Sequence, residues 1–181
     1  MLSEDDRKKM LRAARNAVTD CVQNNDVIPS IELKEMNYEP MGVFVTLRKK
    51  GELRGCIGYV EGIKPLDEAI SEMSEAAATR DPRFPPLSES ELQDVEIEIS
   101  LLSPPEKIDS PDSIEIGKHG LIVKQGIRKG LLLPQVATEN NWDRQTLLEH
   151  TCLKANLLSN AYLSDETEIY VFTAEVFEEQ N

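Results

Sequence analysis

Apolar positions change their spacing several times along the chain, and each change marks a new element. From Ser3 to about residue 23 they recur at helical intervals, at Leu11, Ala14, Val18 and Cys21. That period predicts a helix, with Ser3 and Asp6 forming its capping pair. Residues 42–49, Gly-Val-Phe-Val-Thr-Leu-Arg-Lys, then read as a strand. Lys50-Gly51 is a turn signal, and Leu53 to Val60 reads as the returning strand of a hairpin. A second helix is expected from Pro65, which suits a first helical position. Leu66, Ala69, Ile70, Met73 and Ala77 form its buried stripe, and Asp67 and Glu68 favour its first turn.

Asp81-Pro82-Arg83-Phe84-Pro85-Pro86 forbids regular structure, because three of its residues are proline. Ser88 and Glu91 suit the cap of a short turn. Val95, Ile97, Ile99 and Leu101 alternate with Glu96, Glu98 and Ser100, the signature of a half-exposed strand. Pro104 to Ser113 reads as a connection, and Gly117-Lys118-His119-Gly120 as a tight turn or strand entry. Leu121–Val123 and Leu131–Leu133 read as strands around a loop holding Gly126 and Gly130. A third helix is expected over about 143–157, with Leu147, Leu148, Thr151, Cys152 and Ala155 on one face. A last strand runs over 167–177. Three long helices and about six strands result. Hairpin signals outweigh strand–helix alternation, which predicts an α+β fold with a largely antiparallel or mixed sheet.

Composition narrows the function classes. The chain has 181 residues, 40% of them hydrophobic and 29% charged, ordinary values for a globular protein able to build its own core. Lys and Arg number 20 and Asp and Glu 33, for a net charge of −13. A field of that sign repels phosphate backbones and anionic membranes, so nucleic-acid binding is disfavoured and no membrane role is expected. The charged start, Met1-Leu2-Ser3-Glu4-Asp5-Asp6, has no apolar stretch for a secretory signal. Three widely spaced cysteines argue against a disulfide framework and fit a reducing cytoplasm. Two histidines, without paired-cysteine spacings, offer no zinc ligand set, so no metal and no cofactor are expected. Phosphate-cradling glycine motifs are missing.

The informative segment is Leu53-Arg54-Gly55-Cys56-Ile57-Gly58. Strand alternation puts Arg54, Cys56 and Gly58 on one face and Leu53, Gly55 and Ile57 on the other. Glycine inside a strand marks a bulge or a close approach by backbone or ligand, so Gly55 and Gly58 around Cys56 read as a pocket floor. The alternative is a packed cysteine between structural glycines. As a nucleophile, Cys56 would need its thiol pKa lowered, by Arg54 about 6–7 Å away or by a histidine. His119, held in a presenting turn, is the better histidine; His150 follows a helix. Asp81 and Arg83 flank Pro82 in a rigid loop, where Arg83 could clamp a carboxylate or phosphate, or simply pair with Asp81. Gln135 either turns into the same cleft or ends a strand. Cys21 and Cys152 read as packing residues.

These residues carry a resemblance. The runs Gly42–Leu47 and Leu53–Gly58 resemble the AMMECR family, named for a human chromosomal critical region. Asp81-Pro-Arg-Phe84, Glu91-Leu92, Ile99-Ser100, Gly117-Lys-His-Gly120, Leu133-Pro-Gln-Val136 and Lys154-Ala155 look like that family's other signatures, in order. Asn156 departs from them, standing where the family often has Gly. The resemblance spans about residues 5–178. It implies one AMMECR-type domain over 1–181, with a sheet-and-helix body, a smaller lobe and a cleft near the hexapeptide. It implies no established activity. Prokaryotic relatives look like the A component of the AmmeMemoRadiSam set, which points to Memo-like and radical SAM proteins as partners. The first expectation is therefore a cytoplasmic accessory or binding protein. Its cleft of Arg54, Gly55, Gly58, Asp81, Arg83 and Gln135 would hold an unknown small ligand or a partner segment. The alternative is an enzyme using Cys56 as nucleophile or redox thiol, with His119.

Overall fold

The computed structural model describes residues 2–179. The fold is α+β, and the chain divides into two compact units. The first comprises residues up to Leu101 together with 175 onward; the second comprises Leu102–Ala174.

In the first unit, helix α1 (Glu4–Val22) starts at the Ser3/Asp6 capping box, each side chain accepting the other's backbone N–H. A short α2 (Ile31–Glu35) follows, capped by Ser30. Strands β1 (Gly42–Lys49) and β2 (Glu52–Tyr59) form the expected antiparallel hairpin. Its turn holds both Lys50 and Gly51 at positive φ, +54° and +80°, the conformation that matches the twist of paired strands. Helix α3 (Leu66–Thr79) begins after Pro65, which is the residue preceding the helix and not its first turn. Helix α3 packs on α1 and on both strands of the hairpin. Strand β3 (Val95–Leu102) lies beside β1, and the end of a last strand, β7 (Glu168–Glu178), lies beside β3. β2 is thus an edge strand. Met10, Val18, Leu47, Ile70, Ile97 and Ile99 are among the fully buried side chains of this unit's core. Here Arg15 donates to the Leu92 and Val95 carbonyls and pairs with Glu179, whose backbone N–H donates to the Ile97 carbonyl.

The second unit holds β4 (Glu106–Ile108), β5 (His119–Gln125), β6 (Arg128–Leu132), α4 (Pro134–Glu139), α5 (Arg144–Lys154) and the first part of β7. β7 lies between β4 and β5, and β5 pairs with β6, all antiparallel. Helix α5 packs on β5 and β6. Gly130 lies within β6, not in a loop as the sequence suggests, and for a steric reason. A Cβ there would sit 2.4 Å from the Ala155 nitrogen and 2.7 Å from the Thr151 carbonyl oxygen. The core gathers Ile114, Leu121, Leu147, Leu148 and Val171, with Val123 and Cys152 in a neighbouring cluster. Trp142, the single tryptophan, stacks on His150 at 4.0 Å between ring centroids.

Candidate functional site at the β2 edge

An edge strand exposes backbone donors and acceptors along its outer side, and folded proteins cover or blunt them. Here the cover comes from side chains of the proline loop. The Cys56 N–H donates to Asp81 Oδ2 at 2.8 Å, and Arg83 Nη2 donates to the Cys56 carbonyl at 3.4 Å. A carboxylate and a guanidinium thus stand where a neighbouring strand's C=O and N–H would be. Two steps back, Arg54 holds the same loop further along. Its Nη1 donates to the Pro85 carbonyl at 3.0 Å and its Nη2 to the Pro86 carbonyl at 3.4 Å. The hexapeptide and the Asp-Pro-Arg-Phe segment are therefore two halves of one construction.

Asp81 is its anchor. The residue is buried and accepts four hydrogen bonds: from Cys56 N–H, and from the N–H, Nε and Nη2 of Arg83, the last at 2.7 Å. The Arg83 guanidinium, with the backbone donors, holds the Asp81 carboxyl far below the usual carboxylate range despite its burial. Arg83 itself stays 54% exposed in its side chain. Phe84 carries both arginines, Arg83 at 5.6 Å and Arg54 at 6.0 Å from the ring centroid. That spacing is the geometry of cation–π contact.

Arg54 turns away from the thiol. Its Nε and Nη2 grip the two oxygens of Glu91 at 3.1 and 3.0 Å, and only 12% of its side chain is exposed. Glu91 also receives Lys49 Nζ at 3.0 Å and the N–H and hydroxyl of Ser88. These donors, Arg54 foremost, hold Glu91 well below its ordinary pKa. The Ser88–Glu91 cap was legible in the sequence, whereas the second duty of Glu91 toward Arg54 and Lys49 was not.

Cys56 sits opposite Thr46 in the hairpin register, and its sulfur accepts the Thr46 hydroxyl at 3.3 Å. Burial pushes the Cys56 thiol pKa up. The Thr46 hydrogen bond and the Arg83 charge pull the other way and are outweighed. Cys152 is likewise raised by burial, and Cys21 is pushed up to about 11. The direction at Cys56 is opposite to the lowered value a nucleophile calls for.

The two glycines are explained by the protein's own atoms. A Cβ on Gly55 would lie 2.2 Å from the Ala77 carbonyl oxygen, because α3 passes directly under this face of β2. On the other face, a Cβ on Gly58 would lie 2.3 Å from the Phe44 ring, its cross-strand partner. The room expected beside the thiol at Gly58 is taken by that ring.

His119 and Gln135 belong to the second unit. His119 opens β5, and its Nδ1 accepts the Glu115 N–H at 3.2 Å. Gln135 is the second residue of α4, where its carbonyl accepts the Thr138 hydroxyl at 2.9 Å. The run Leu133-Pro134-Gln135 is thus a helix start led by proline, not the strand end that the sequence suggests; proline's fixed φ suits a first helical position. Among the described residues no three His, Cys, Asp or Glu side chains gather to hold a metal ion. No helix among them is long and apolar enough to cross a membrane.

Comparison with known proteins is consistent across the chain. A family model described as AMMECR1 matches residues 11–177. A protein of Methanothermobacter thermautotrophicus is 45% identical over 186 residues, covering 98% of this chain and 96% of that one. A protein of Methanopyrus kandleri is 46% identical over 188 residues, covering 99% and 91%. The crystal structure of an uncharacterised protein from Pyrococcus horikoshii superposes with a TM-score of 0.91 at 39% identity, covering 99% of this chain and 94% of that one. None of these names states an activity.

Proposed function

The chain belongs to the AMMECR1 family, and from that premise we propose that it is a cytoplasmic accessory or binding protein whose docking element is the β2 edge with its proline loop. One observation carries the reading. Asp81 fixes Arg83 and the edge of β2 to each other, so an exposed guanidinium on an aromatic ring is presented on a rigid frame. Pre-organisation of that kind lowers the ordering cost of binding. A half-exposed arginine beside an aromatic ring suits a carboxylate or phosphate, borne by a small ligand or by a partner segment. Free cysteines fit a reducing compartment, and the family resemblance names Memo-like and radical SAM proteins as the partners to try first.

The reading is tested by co-purification of the tagged chain with a Memo-like or radical SAM protein under reducing conditions and low salt. Arg83→Ala and Phe84→Ala should each weaken recovery while the fold persists. Recovery of the wild-type chain alone would count against the partner, and undiminished recovery with both variants would count against the site.

The second reading is a thiol enzyme. Its support is that Arg83 and the Thr46 hydroxyl both stabilise a Cys56 thiolate; burial opposes it. Site-resolved alkylation by iodoacetamide on the native protein separates the two. The binding reading expects Cys56 to react as slowly as Cys21 and Cys152 near neutral pH. A fast Cys56, slowed by Arg83→Ala, would turn the balance to the enzyme.

A further inference from the structure

The proline loop covers only part of the β2 edge. Arg54 and Cys56 meet it, but the strand runs on to Tyr59. Cys56 turns both its N–H and its carbonyl away from β1, as their bonds to Asp81 and Arg83 show. Residues of an antiparallel ladder alternate between facing the partner strand and facing away. The register runs unbroken from Thr46↔Cys56 to Phe44↔Gly58, so Gly58 turns its N–H and carbonyl outward as well. Neither group has a partner among the described residues. Nor do the usual devices blunt this part of the edge. Residues 55–60 include no charge and no proline, and Cys56 to Val60 are all half-buried. A bare edge of that kind is a template for an added strand.

The loop also decides what can be added. A strand continuing past Gly58 toward Cys56 would run into Asp81 and Arg83. A second copy of β2 is therefore a poor fit, because pairing Gly58 with Gly58 would set its Val60 on that cap. The occupant has to end there. A chain antiparallel to β2 brings its C-terminal carboxylate to the cap, and a parallel one its N-terminal ammonium. The cap favours the carboxylate. Asp81 is buried and already accepts four hydrogen bonds. Arg83 is half-exposed, and its Nη1 donates to no described residue. Asp81 balances the charge of Arg83, so Arg83 offers directed N–H donors and not a positive field. Of the other acids nearby, Glu98 stands two strands inward and pairs with Arg48. Glu61 follows Gly58 on the side away from the cap.

We propose that the free edge at Gly58 takes the C-terminal residue of an extended partner peptide, lying antiparallel to β2. One oxygen of its carboxylate accepts the Gly58 N–H, the other accepts Arg83 Nη1, and the residue's own N–H donates to the Gly58 carbonyl. On the edge, the Gly58 N–H directly follows the Cys56 carbonyl that Arg83 covers, so a single carboxylate spans the two donors. This inference rests on the β2 edge being the docking element, and it names what docks there.

The probe is the N-acetylated peptide STVTVTV, as the free acid or as its C-terminal amide, titrated into the isotope-labelled full chain. Contacts to main chain need only an extended probe, which Thr and Val favour. NMR follows the Gly58 amide signal and its hydrogen exchange. The free acid should shift that signal and slow its exchange. The amide should bind about tenfold more weakly, and so should the free acid to Arg83→Ala. Acetate at the same concentration should not slow the exchange, because it lacks the N–H that the Gly58 carbonyl accepts. Arg83 also holds Asp81, so the acid–amide comparison on the wild-type chain decides the matter even where the variant loses stability. No binding of either form, or unaltered exchange at Gly58, would overturn the proposal, while co-purification would still decide whether the edge docks a partner. Equal binding of acid and amide, both lost in Arg83→Ala, would overturn the terminus and leave the docking edge standing. Acetate acting as strongly as the peptide would overturn it in favour of a small acid. A dimer in the ultracentrifuge that the free acid disperses would overturn it in favour of a second copy.

Discussion

At Gly58 the side chain that matters belongs to Phe44. The ring occupies the space that a Cβ would need, so Gly58→Val should lower stability by about 1–3 kcal/mol through overpacking. Phe44→Ala in the same chain should return part of that loss, which paired thermal melts would show. Equal destabilisation with and without the ring would mean that Gly58 is required for another reason. Gly55 is less forgiving, because its neighbour is the Ala77 carbonyl of a packed helix and cannot rotate aside.

Asp81 gives a pH-dependent counterpart. Its folded pKa lies far below the unfolded value of about 3.9. It therefore contributes stability in full above that unfolded value, and the contribution fades as pH falls toward the folded one. Glu91 acts with the same sign. Denaturant midpoints of wild type should fall between pH ~5 and ~2, over which model carboxyls titrate. Asp81→Asn should start about 1–3 kcal/mol lower and lose less across that range. An equal acid slope in both proteins would contradict the assignment.

At the scale of elements, strong periodicity was readable and tertiary contact was not. The stripes of α1 and α3, the alternation along β3 and the Lys50-Gly51 turn were all decided by local chemistry. The five-residue α2 and three-residue β4 are too short for a period to register. The apolar run Leu131-Leu132-Leu133 hid the start of α4, although Pro134 signalled it. In the candidate site, local spacing offered the Asp81–Arg83 pair, which the structure has, and set Arg54 beside Cys56. Their wiring depends on residues far away in the chain: Glu91 takes Arg54, and Asp81 takes the Cys56 N–H. No spacing rule reaches across such separations, and so the sequence pointed Arg54 at the thiol when its partner lies elsewhere. Gly130 permits a further test of an element contact. Gly130→Val should unseat α5, because the opposing atoms are helix backbone. Trp142 fluorescence should report this, since the ring stacks on His150 of that helix. An unaltered emission spectrum and melting temperature would show that the helix can shift without cost.

For the whole molecule, the two units draw on the chain unequally. The second is one continuous stretch, Leu102–Ala174, while the first needs residues from 175 onward as well as everything up to Leu101. Those late residues are held by Arg7, which pairs with Glu175 at 2.7 Å, and by Arg15, which pairs with Glu179. A ribosome releases the chain from one end only. The first unit's helices and hairpin therefore emerge long before the strand that completes their sheet, and the whole of the second unit is made in between. Until then β3 has an unfilled side and two arginines wait without their carboxylates. The second unit, first to have all its residues available, should be first to reach protease resistance during synthesis. A released chain truncated after Ala174 should show it folded and residues 2–101 still open to cleavage. Protection of both at that length would mean that β3 and α1 hold together without the closing strand.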